Sequence, residues 1–134
     1  KPWYGVMFNL KQVDDFRICL FIEKGEYDVY YGITVIDNHG DKEITNSVKC
    51  DKLEEHIKDK CTWERENYWV GGRHLEPRIN FRQFNNPQTL NLVKPEIRKQ
   101  YIQDNWLTIK EFIKECELEN YNAPFQQSLE HEVI

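Results

Sequence analysis

A chain of 134 residues is one domain by length and long enough to hide a sizeable hydrophobic core. Its 40% hydrophobic and 31% charged residues are ordinary for a soluble globular protein, and a net charge of −5 argues against a surface coated with nucleic acid. No apolar run approaches the roughly 18–20 residues that would span a bilayer, and no stretch reads as a signal peptide.

Residues 3–10 (WYGVMFNL) are aromatic and branched, and predict a strand. Asp14-Asp15 supply a polar turn before a second strand at residues 16–23. There Phe16, Ile18, Leu20 and Ile22 share one face, and Arg17, Cys19, Phe21 and Glu23 the other. Both faces are largely apolar, which predicts a central position in the sheet. A turn around Gly25 leads into a third strand at residues 27–37. Gly32 inside that strand predicts a bulge or a close packing contact.

Residues 38–46 are a polar loop. Asp51 then predicts a helix N-cap with Glu54 three residues on, for a short surface helix to about Lys60. Residues 62–70 (TWERENYWV) predict a strand ended by Gly71-Gly72, and residues 77–84 (PRINFRQF) another. A helical turn is predicted from Asn86-Pro87 to about Val93. Pro95 suits the first turn of a last helix running to about Glu119, with Ile102, Trp106, Ile109, Ile113 and Cys116 as its core stripe. The expected fold is α+β: an antiparallel sheet of about five strands with two to three helices packed on one face. Residues 1–119 form the single domain, and residues 120–134 read as a loosely ordered tail.

The chemistry-bearing motifs are mostly missing. The four cysteines, Cys19, Cys50, Cys61 and Cys116, include no C-x-x-C pair. They read as free, mostly buried thiols of a reducing, cytoplasmic compartment. Cys50, His56 and Cys61 do not converge on one helix face, so neither a metal nor another cofactor is expected. Only two serines occur, with no nucleophile elbow and no glycine-rich phosphate loop. A pocket gathering Glu64, Glu66, His74 and Arg78 would be needed to bring in small-ligand or enzyme chemistry.

Charge is uneven along the chain. Residues 72–110 carry seven basic and three acidic side chains, between flanks that are net acidic. Arg73, Arg78, Arg82, Lys94, Arg98 and Lys99, with Trp69, are the candidate nucleic-acid-binding residues, because arginines beside aromatics can hold a phosphate backbone and stack bases. The same residues can equally solvate an exposed sheet face and pair with the acidic helix. The 13% aromatic content likewise fits either a core or a recognition surface.

The stretches KPWYGVMF, FRICLFIE, VYYGI and TWERENYWV resemble the region that follows the catalytic core in some bacterial PD-(D/E)XK nuclease superfamily proteins, often defence- or phage-associated. No lysine here has Asp or Glu two positions before it, so the family's catalytic step does not carry over. The resemblance implies a C-terminal fragment: a non-catalytic accessory module beside an N-terminal nuclease domain, helping to position it on DNA. The alternative is a protein–protein interaction module of a defence-related protein, meeting its partner through Trp3, Trp63 or Trp69, with no nucleic-acid contact.

Overall fold

The computed structural model describes residues 4–25, 28–42, 45, 48–80 and 87–121. Its centre is an antiparallel meander of four strands in the order β1-β2-β3-β4: β1 Tyr4–Val13, β2 Phe16–Lys24, β3 Val29–Ile36 and β4 Gly71–His74. The helices are α1 Asp51–Ile57, α2 Pro87–Asn91 and α3 Pro95–Glu115, with short 3₁₀ turns at Val48–Cys50, Lys58–Lys60 and Leu118–Asn120. The α+β class holds, with four strands among the described residues where about five were expected.

Strand alternation decides which side chains meet the helices. Ile18 and Leu20 of β2, with Tyr31, Ile33 and Val35 of β3, form one continuous apolar face. Leu53 and Ile57 of α1, and Ile109, Phe112 and Cys116 of α3, pack with them into a single core. Phe112 meets the Tyr31 ring edge-on at 5.4 Å. The hairpin of β2 and β3 is therefore central, as its two apolar faces predict.

The register of β1 on β2 slips between Asn9 and Lys11, so Leu10 is an inserted residue. The slip turns Lys11 onto the helix-covered face. There its Nζ donates to the carbonyls of Leu118 (2.9 Å) and Tyr121 (2.7 Å) and ties down the final turn. Packed structure thus continues past residue 119, since Leu118 and Tyr121 belong to the core. The rest of the expected tail lies outside the described residues.

The fourth strand is displaced from its expected place. Residues 62–70 make only two isolated bridges, Trp63 with Gly72 and Glu66 with Trp69. Asn67 adopts a left-handed φ of 45°, and Glu66 and Trp69 exchange both backbone hydrogen bonds across it (3.0 and 2.7 Å). That tight turn folds the segment back on itself, and the strand forms at Gly71–His74 instead. The glycine pair lies inside the strand, because β3 and β4 approach too closely for side chains. A Cβ on Gly32 would lie 2.2 Å from the Gly71 carbonyl oxygen, so Gly32 marks a close contact and not a bulge.

Residues 77–80 are not a strand, and residues 81–84 of that expected element lie outside the described residues. Asn105 of α3 holds the backbone just before Pro77. Its Oδ1 accepts from the Glu76 N–H and its Nδ2 donates to the Glu76 carbonyl, both at 3.0 Å. This clamp also rotates the helix. Asn105, Ile109, Phe112 and Cys116 point inward, whereas Ile102 and Trp106 of the expected stripe are 60% and 42% exposed. At α1 the N-cap is Cys50, not Asp51, and Asp51 pairs with Arg65 at 2.7 Å.

Candidate functional site

The sheet face opposite the helices carries Phe21 and Glu23 of β2, Tyr30 and Thr34 of β3, and His74 of β4. The returning segment between α1 and β4 lies across it. Arg65 fixes that segment, donating to the Thr45 carbonyl through Nε (3.1 Å) and Nη2 (2.6 Å) and pairing with Asp51 and Glu54. Thr34 Oγ1 adds a 2.6 Å bond to the Tyr68 carbonyl.

Trp63, before that segment's turn, and Trp69, at its end, are both brought onto the sheet. Trp69 stacks on Phe21 at 5.3 Å with an interplanar angle of 10°. Tyr30 meets Trp69 at 5.5 Å and Trp63 at 6.3 Å, both edge-to-face, and the two indoles meet each other at 5.4 Å and 82°. Such tilted contacts suit the ring quadrupoles and add to the apolar area buried. Lys42 Nζ sits 4.3 Å over the Phe21 ring and 5.8 Å from that of Tyr68.

Beside these rings lies a cavity of about 760 Å³. It is lined by Tyr30, Trp63, Tyr68 and Trp69, by the acids Glu23, Asp41 and Glu66, and by Lys42 and His74. Glu23 is only 6% exposed, and Tyr30 Oη donates to its Oε1 at 2.6 Å. Burial, and then that hydrogen bond, hold the Tyr30 phenol well above the ordinary tyrosine range, so it stays a neutral donor. His74 Nδ1 is 2.9 Å from Asp28 Oδ2, an ion pair when the imidazole is protonated.

The sequence-derived candidates divide between the two sides of the sheet. Trp69 belongs to the open-face cavity. Arg73, opposite Tyr31 in register, points to the helix side. Its Nε donates to the Lys60 carbonyl (2.7 Å), its Nη2 pairs with Glu115 (3.1 Å), and its guanidinium lies 4.8 Å over the Phe112 ring. Lys94, Arg98 and Lys99 lie together at the start of α3, all exposed, with Arg98 Nη1 donating to the Leu92 carbonyl. Arg78 is exposed after β4, and Arg82 lies outside the described residues. The set Glu64, Glu66, His74 and Arg78 does not converge. Glu66 and His74 line the large cavity, while Glu64 lines a neighbouring one of about 410 Å³ that shares Trp63.

Glu23, Tyr30 and Lys42 were not singled out from the sequence. The signal lay in alternation, since Phe21 and Glu23 share a strand face, as do Asp28, Tyr30 and Thr34, but nothing local said that the tryptophans would return to them. The four cysteines are free thiols, and no group of three or more metal-ligating side chains is gathered among the described residues. No helix among those residues is long and apolar enough to cross a membrane. No protein family, curated protein or solved structure matches this chain.

Proposed function

We propose that this chain is a non-catalytic binding module whose recognition site is the aromatic cavity on the open face of the sheet. One observation carries this reading. Among the described residues, the open face of the sheet keeps a cavity of about 760 Å³ whose walls combine three mutually packed rings with a buried carboxylate. A merely structural aromatic cluster gains most by excluding water completely. Concave, largely aromatic walls with a few convergent polar groups are instead the usual form of a ligand site.

The test is a panel of small molecules, comprising organic cations, neutral aromatics, carboxylates and nucleotides, followed by tryptophan fluorescence and melting temperature. Saturable binding that is lost in the Glu66→Lys, Tyr68→Ala double variant supports the reading. A panel in which nothing binds, or hits indifferent to that variant, refutes it.

A second reading rests on Lys94, Arg98 and Lys99, which gather at one end of α3, all exposed, as Arg78 is after β4. Here the chain is a cytoplasmic accessory module that helps a neighbouring nuclease domain engage DNA, the role its sequence resemblance implies. Phosphate contacts of this kind weaken steeply as salt rises. A low-salt titration with single- and double-stranded DNA should therefore show binding that salt abolishes and that Lys94→Glu, Arg98→Glu, Lys99→Glu removes. No binding at low salt would sink this reading and leave the cavity reading untouched.

A further inference from the structure

We infer that the open-face cavity is a receptor for an alkylated ammonium cation, an inference that rests on the cavity being the recognition site. The first ground is Glu23. The residue is only 6% exposed, and among the described residues its one side-chain hydrogen bond comes from a neutral phenol, with no cationic group within ion-pair distance. A buried carboxylate without a counter-cation is strongly disfavoured, and a bound cation relieves that cost.

The second ground is the balance of charge on the walls. Among the described wall residues, Glu23 and Glu66 face one ammonium, Lys42, while His74 is already beside Asp28. That balance repels phosphates and carboxylates and attracts cations. The third ground is the rings themselves. Aromatic faces attract cations electrostatically, and Lys42 Nζ over Phe21 at 4.3 Å is an internal instance of the same contact at the same cluster.

The alkylated form follows from hydrogen bonding. Glu23 Oε1 accepts from Tyr30 and leaves Oε2 for a ligand's charge, while the ring faces that make up most of the wall accept no strong directional bonds. A guanidinium or bare ammonium would bring several N–H donors, of which the carboxylates can meet some, and each one turned to a ring face stays unsatisfied at a cost. A methylated ammonium has few or none, and it spreads its charge over methyl groups that pack against indole.

The experiment titrates the full chain with choline chloride, with its neutral isostere 3,3-dimethylbutan-1-ol, and with peptides carrying trimethyllysine or unmodified lysine. Ionic strength is held constant, and the change in tryptophan fluorescence is the signal. Choline should saturate and bind about tenfold more tightly than the isostere, a ratio within reach of one desolvated cation–π contact. Glu23→Gln should lose about that factor. Glu66→Gln, at the exposed rim and with no burden on folding, should lose several-fold, and circular dichroism melts confirm that each variant is folded. A trimethyllysine peptide tighter than choline supports a protein side chain as the source, and the reverse order supports a free small molecule. An isostere that binds as well as choline overturns the cation inference while leaving the cavity as a binding site. No saturable response to any of the four probes overturns the cation inference, while the wider panel of neutral aromatics, carboxylates and nucleotides decides separately whether the cavity is a binding site.

Discussion

Replacing Gly32 by alanine tests how β3 meets β4. The added Cβ would lie 2.2 Å from the Gly71 carbonyl oxygen and 2.9 Å from the Gly72 Cα. Both are backbone atoms, so no side chain can rotate away. A carbon and an oxygen need about 3.3 Å, so the two strands must part by roughly 1 Å at this point. Parting them strains the neighbouring bonds from Val70 N–H to Ile33 (2.8 Å) and from Thr62 N–H to Gly72 (2.8 Å). Overpacking a tight site costs about 1–3 kcal/mol, and a backbone clash belongs at the upper end. For a domain of this length, about 3 kcal/mol lowers the melting temperature by roughly 10 °C. Gly40→Ala is the control. Its φ is +82° with nothing within 4 Å of the new Cβ, so only backbone strain acts. That strain is about 1–2 kcal/mol, a fall of roughly 4–7 °C. Thermal melts followed by circular dichroism give both numbers. If Gly32→Ala melts within about 2 °C of the parent, or falls less than Gly40→Ala, the close approach of the two strands is not what holds the fourth strand in register.

Thr45→Val removes a hydroxyl that accepts from the Val35 N–H (3.1 Å) and donates to its carbonyl (3.0 Å) in a fully buried position, and should cost about 1–3 kcal/mol in denaturant unfolding. Arg73→Ala should destabilise by about 1.5–3 kcal/mol through the lost Glu115 and Lys60 contacts. It should leave any DNA affinity measured by gel shift unchanged, and a selective loss of DNA binding without destabilisation would reverse that assignment. Burial pushes the thiols of Cys50 up to about 11 and of Cys116 up to about 12. The folded state therefore keeps protons that the unfolded chain releases above about pH 8.5, and stability falls as pH rises from there towards pH 11. Two such thiols lower it by on the order of 3 kcal/mol per pH unit in that window, which guanidinium titrations at successive pH values will show or exclude. At about pH 8 both thiols should resist Ellman's reagent until the chain is unfolded.

Much of the scaffold was legible in the residues. Two strands apolar on both faces, joined at Gly25, could only be satisfied in the middle of a sheet, and that is where β2 and β3 lie. Asp14-Asp15 turned the first hairpin, and Pro95 opened the last helix, each through local backbone preference. Less was legible where one segment depends on a distant one. The stripe Ile102–Trp106 looked inward by periodicity alone. Asn105 instead claims the inner face at that turn, because it bonds both backbone groups of Glu76.

The candidate site shows the same division. The sequence determined which residues alternate on each strand, that two tryptophans lie within residues 62–70, and that basic side chains concentrate between residues 72 and 110. Only the tertiary structure decided that Arg73 turns into the core beside Phe112 while Trp69 turns to the opposite face. It likewise decided that Trp63 and Trp69 close over Tyr30 beside the buried Glu23. The physical reason is range. Turn and strand preferences act over a few residues, but the left-handed Asn67, the Arg65 anchor on Thr45 and the glycine contact between β3 and β4 act between segments that the sequence holds far apart.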